Sequence, residues 1–87
     1  MIHEFNEMLR VLRRKRGLTQ EAAARLMMID RSLLGHMETG EREPDLSVLF
    51  RMSTIYEVHP FSLIIPLLSE EDVEENPYLS SYKKNSM

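Results

Sequence analysis

The 87-residue sequence predicts an all-α domain, and three observations carry that prediction. Apolar residues recur at helical spacing. Residues that start or stop helices separate those runs, among them Gly17, Thr19, Asp30, Gly40, Asp45 and His59-Pro60. No stretch has the apolar–polar alternation of a half-buried strand, and there is no internal repeat. The chain is organised around Thr19 to Gly40, TQEAAARLMMIDRSLLGHMETG, which reads as two short helices about a tight turn.

The first helix is expected over residues 2–16. Ile2, Phe5, Leu9 and Leu12 form one apolar stripe, and Arg10 and Arg14 point away from it. The run Arg13-Arg14-Lys15-Arg16 falls at the C-terminal end, where the helix dipole favours cations. Gly17 then stops the helix. Thr19 is an N-cap for the second helix, Gln20 to Met27, with Glu21 in its first turn. Its alanines allow a neighbouring helix to come close. Met28-Ile29 carries the turn, and Asp30 is expected to cap the third helix, Arg31 to Thr39.

At about 100° per residue, Leu34, Met37 and Glu38 fall on one side of that third helix. Ser32, Gly35, His36 and Thr39 fall on the other, with Arg31 and Leu33 on the flanks. An apolar inner face with a polar outer face leaves the outer one for something to be read. Residues 40–44 form a loop. Asp45 caps a fourth helix, Leu46 to about Tyr56, on which Leu46, Leu49, Phe50 and Ser53 share a face. His59-Pro60 opens a short fifth helix, since proline suits a first turn and His59 serves as its N-cap. Phe61, Leu63, Ile64, Ile65, Leu67 and Leu68 make that segment more apolar than a monomer needs. Residues 69–72 start one more helical turn, and the chain after Asn76-Pro77 is expected to be flexible.

The length allows one domain, residues 1–68, followed by an acidic tail, residues 69–87. Net charge is −3. Residues 1–68 hold nine Lys/Arg and nine Asp/Glu, whereas the tail holds five acids and two lysines. The domain is therefore neutral and its charge uneven, which is what matters for a nucleic-acid footprint. With no cysteine, disulfides and thiolate metal sites are excluded, and a reducing cytoplasm is expected. No apolar run approaches the roughly 18 residues of a membrane span. The first ten residues carry acids where a signal peptide has a basic and then an apolar region. His3, His36 and His59 are scattered and make no metal site. The acids at 70–75 lack the glycine-turned spacing of a calcium loop and read as a solvated run. The methionines fall mostly at inward spacing, as core filler. No nucleophile–base pattern or phosphate-cradling glycine loop is present, so no enzyme and no cofactor are expected.

Several motifs in fixed order resemble the phage repressor/Cro (XRE-type) helix-turn-helix family. They are Leu9-Arg10-x-Leu12-Arg13-x-x-Arg16-Gly17-Leu18-Thr19-Gln20-Glu21, Ala24, Ile29-Asp30-Arg31-Ser32, and Met37-Glu38-x-Gly40-x-Arg42-x-Pro44. The resemblance covers residues 5–66. It implies a five-helix, lambda-repressor-like domain whose third helix enters the DNA major groove. It also implies a buried ion pair between Arg13 and Glu38 that locks the first helix to the third. Gln20 matches the family's phosphate-positioning glutamine. The chain departs from the pattern at Ala23, usually leucine, and at Met28 and Glu57, usually glycine. A left-handed methionine is uncommon, so the turn at Met28 is expected to be reshaped or strained.

The expected base-reading residues are Arg31, Ser32, Leu33, Gly35 and His36: arginine for guanine, serine as donor or acceptor, histidine as donor, leucine for a thymine methyl. The expected phosphate contacts are Gln20, Arg10, Arg14 and Arg42, although Glu41, Glu43 and Asp45 oppose such a role for the last loop. The expected partner is double-stranded DNA, bound in a bacterial cytoplasm at the nucleoid by a homodimer that represses transcription from a palindromic operator. Its dimer surface would be Phe61, Ile64, Ile65 and Leu68. The rival reading is a protein-interaction module, as in antitoxins that resemble this family, with the acidic tail holding a protein partner.

Overall fold

The computed structural model describes residues 2–68 and 70–78. The tail beyond them, expected to be flexible, lies outside the described residues. Five helices build the domain: α1 (Ile2–Lys15), α2 (Gln20–Met27), α3 (Arg31–Thr39), α4 (Leu46–Tyr56) and α5 (Pro60–Ile64). A 3-10 turn, Ile65–Leu67, follows α5, and a short helix α6, Glu70–Glu75, opens the acidic segment. The described residues contain no strand.

One apolar core joins these elements. Phe5 and Leu9 of α1, Ala23, Ala24 and Met27 of α2, Leu34 and Met37 of α3, Val48, Leu49, Met52 and Tyr56 of α4 and Leu63 of α5 are buried together. The side chain of Ile2, assigned to the same stripe of α1, is outside the described residues. Three methionines sit at the centre of this core, where their unbranched chains fill gaps between helices. The buried face of α4 is rotated from expectation. Val48, Leu49, Met52, Ser53 and Tyr56 face inward, while Leu46 and Phe50 are 60% and 48% exposed. The α2 and α5 neighbours select a stripe through Leu49, Met52 and Tyr56, and Leu46 and Phe50 fall on its outer flank.

The caps agree with the sequence at three starts and not at the fourth. Thr19 Oγ1 accepts from Ala22 N at 3.0 Å, Asp45 Oδ1 from Val48 N at 2.9 Å, and His59 Nδ1 from Phe61 N at 3.1 Å. Asp30 has the extended backbone of an N-cap, but its carboxylate makes no capping bond. The α3 helix therefore begins without a side-chain cap.

Four helix ends close through a left-handed residue: Gly17, Met28, Gly40 and Glu57. After α2, Met28 N bonds Arg25 O at 3.1 Å and Ile29 N bonds Ala24 O at 3.0 Å, which takes up two terminal carbonyls. The turn is thus regular despite the methionine, and the deviation is stored as backbone strain at φ 60°, ψ 43°. Arginines from other helices take further terminal carbonyls. Arg51 Nη1 donates to Met27 O at 2.5 Å, Arg16 Nε to Ile55 O at 3.0 Å, and Arg10 Nη1 to Glu38 O. Each cation meets the negative end of a helix dipole, so these bonds hold α2, α3 and α4 at their C-terminal ends.

The strain at Met28 is separable from packing, because that side chain is 76% exposed. Met28→Gly is expected to raise stability by about 1 kcal/mol, the left-handed penalty less glycine's extra unfolded-state entropy. Urea denaturation checks it: the midpoint should rise with an unchanged slope.

Candidate nucleic-acid interface

The site is built around Glu38, which is buried on the inner face of α3 near its C-terminal end. An unpaired carboxylate there would be expensive to bury. Three donors from other helices surround it. Arg13 of α1 donates from Nε to Oε2 at 2.7 Å and from Nη2 to Oε1 at 3.2 Å. Gln20, the first residue of α2, donates from Nε2 to Oε1 at 3.0 Å. Arg13 also donates from Nη1 to Leu18 O at 2.9 Å, which fixes the chain between α1 and α2. The Arg13 and Glu38 side chains are 11% and 2% exposed, so this bidentate pair is screened little by solvent. The hydrogen bond from Glu38 raises the Arg13 pKa further, despite an opposing effect of burial.

With its inner face held in this way, α3 turns Arg31, Ser32, His36 and Thr39 to solvent. Leu33 and Gly35 are half-buried, and Leu33 packs partly against the core. The base-reading set is therefore brought onto one helix face, with Leu33 at its inner edge. Thr39 Oγ1 donates to His36 O at 3.1 Å, and Glu41 N reaches the same carbonyl at 2.8 Å, closing the helix end. Arg42 is exposed on the loop that follows, and Arg14 is exposed on α1.

Arg10 differs from its expected position. It does not point free of the fold, because its guanidinium is bonded to the Glu38 carbonyl. The physical reason is that unsatisfied carbonyl at the end of α3, one turn from the buried pair. Gln20 differs too, since its amide is tied to Glu38 and lies beside Gly35. Sequence reasoning missed this bond, and it missed Arg25, a cation exposed on α2. Helical spacing reports which face a residue occupies, not which distant group its side chain reaches. The dimer candidates divide: Phe61 is 43% exposed, whereas Ile64, Ile65 and Leu68 are half-buried, Ile64 against the core.

Tyr56 lies close to the same pair. Burial pushes its phenol well above the usual tyrosine value, and the Glu38 carboxylate adds to that while Arg13 opposes it. Its hydroxyl is buried without a hydrogen-bond partner.

A small all-α domain with a helix pair, a pinned second member and a polar outer face is a helix-turn-helix unit. A family model described as helix-turn-helix matches residues 9–63, and the chain belongs to that family of DNA-binding transcriptional regulators, which are not enzymes. It is similar to the restriction-modification controller protein C.AhdI from Aeromonas hydrophila. They are 35% identical, with 71% of this chain and 94% of that one covered and a TM-score of 0.67. It is also similar to an HTH_3 family transcriptional regulator from Vibrio cholerae, at 27% identity and a TM-score of 0.61, over 71% of this chain and 35% of that one. No curated protein sequence matches. No helix among the described residues is long and apolar enough to cross a membrane.

Two outcomes follow from this geometry. Arg13→Ala leaves a buried carboxylate without its cation and should cost about 3–5 kcal/mol, most of the stability of a domain this size. Arg14→Ala, one residue away and exposed, should be nearly silent in the same thermal melt. For Tyr56, the raised pKa means that stability is fully present below the unfolded-state value of about 10 and declines as pH rises above it. Tyr56→Phe should flatten that alkaline decline in denaturant titrations, with little change at pH 7, because the hydroxyl has no partner to lose.

Proposed function

We propose that the protein represses transcription by binding a palindromic operator as a homodimer, with α3 of each protomer in the major groove. The observation that carries this reading is the fixing of α3 from behind by Arg13, Glu38 and Gln20, while Arg31, Ser32 and His36 stay outward. The uncapped start of α3 leaves its first amides for an incoming phosphate. Arg31, Ser32, Leu33, Gly35 and His36 contact base edges. Gln20, Arg14 and Arg42 contact the backbone. The neighbour C.AhdI, a restriction-modification controller by its title, supports a regulatory role. The regulator works in the bacterial cytoplasm, where its DNA is.

One reading helix discriminates too few base pairs, so two helices about 34 Å apart read one operator. Phe61, Ile64, Ile65 and Leu68 supply the dimer contact, and the partly exposed apolar surface there supports it. A second reading has its own observation: α6 holds five acids in six residues, a surface suited to a basic protein partner and unsuited to DNA.

Selection from a random DNA library, followed by salt titration of the winning site, tests the proposal. A palindromic site whose affinity falls steeply with salt is expected. No enrichment would leave the protein-partner reading in its place. Arg31→Ala should cost about 1–3 kcal/mol of binding and relax one base position, whereas Arg14→Ala should weaken all sequences evenly. A monomer in sedimentation at micromolar concentration would remove the dimer.

A further inference from the structure

We propose that Glu38 is a positioning residue for the DNA backbone, fixing the Gln20 carboxamide so that one N–H of that amide meets one phosphate in each half-site. The proposal rests on the DNA-binding reading above and assigns Glu38 a task besides holding α1 to α3.

The chemistry of the contact sets the orientation. Glu38 Oε1 lies 3.0 Å from Gln20 Nε2. An ionised carboxylate only accepts, so the nitrogen of the amide and not its oxygen must face it. The carboxylate itself cannot turn, because Arg13 engages both of its oxygens, at 2.7 and 3.2 Å. On its other side the amide rests against the backbone of α3. A Cβ on Gly35 would lie 3.9 Å from Gln20 Oε1 and 4.0 Å from Nε2, in ordinary contact. The amide is thus confined between Glu38 and Gly35 before any ligand arrives. An amide nitrogen carries two hydrogens, and Glu38 takes one. The second remains for an acceptor outside. Gln20 is also the first residue of α2, where the opening backbone amides and the helix dipole favour an anion.

A neutral donor leaves a distinctive signature. It adds a directed hydrogen bond without releasing a counterion, so its loss weakens binding and leaves the salt dependence alone. A side chain fixed beforehand also loses little rotamer freedom on binding.

The test uses the full chain and the selected operator, with methylphosphonates placed one at a time along the backbone. One substitution per half-site should weaken the wild-type protein about tenfold, the loss of one hydrogen bond to a charged group. Gln20→Met keeps the length and removes the N–H. It should be insensitive to that substitution while keeping the base preferences and the salt slope. Glu38→Gln should lose sensitivity to the same phosphate and retain sensitivity at the others.

Because Glu38→Gln can destabilise the fold, a wild-type measurement decides independently. In DNA-free protein, the Gln20 side-chain amide should have an NMR order parameter near that of rigid backbone, about 0.85. A value below about 0.6 would overturn the proposal, as would a Gln20→Met variant that still senses the phosphate or loses a base preference. Should the library yield no operator, the DNA reading fails and this proposal with it. An operator with an averaged Gln20 amide removes only the proposal.

Discussion

The buried contact of Arg13 with Glu38 is the constraint on which the other elements depend. Glu38 sits on α3 at a position that the apolar neighbours Leu34 and Met37 force inward. Once buried, it requires a cation and further donors, and those come from α1 and from the first turn of α2. One carboxylate therefore sets the spacing of three helices. Such a pair adds little stability over an apolar trio of the same volume, because both ions are desolvated. Its contribution is specificity of arrangement: any rotation of α3 strands a charge, so the outward face is defined by what the inward face must satisfy.

The same accounting explains how a domain with balanced charge presents a binding face. Of the nine basic residues in 1–68, Arg10, Arg13, Arg16 and Arg51 are spent on carboxylates or helix-end carbonyls inside the fold. Arg14, Lys15, Arg25, Arg31 and Arg42 are exposed. Counting basic residues along α1 gives a dense run, Arg13 to Arg16, but the fold turns two of these four to internal acceptors. A basic run at a helix end is thus a mixture of structural and surface cations, and only geometry separates them.

That separation marks how far the sequence is legible. The helix bounds were readable because Gly17, Thr19, Asp45 and His59-Pro60 act through local geometry, which a few neighbouring residues determine. The inward set of α3 was readable because the helical period fixes faces. The α4 face was read one flank off, since Leu46, Leu49, Phe50 and Ser53 and the true stripe differ by a modest rotation that only the α2 and α5 neighbours decide. Arg10, Gln20 and Arg51 were not readable: each partner lies 18 or more residues away, beyond any local pattern. Met28 was partly legible. The sequence flagged the residue, but whether the turn would deform or absorb the strain depended on two backbone bonds that hold it regular.

The scarcity of outward cations also shapes the recognition expected of this fold. Non-specific affinity for DNA grows with the number of phosphates neutralised, each of which releases condensed counterions. A protomer with five exposed cations spread over α1, α2, α3 and the following loop has a shallow electrostatic footprint. Its discrimination must then rest on directed contacts, from side chains held in place before binding, and on the pairing of two protomers. A rigid α3 with its base-facing residues fixed by a buried carboxylate meets the first requirement. The apolar residues left partly exposed on α5 bear on the second, because doubling the reading surface is how a weakly charged module reaches a useful ratio of specific to non-specific binding.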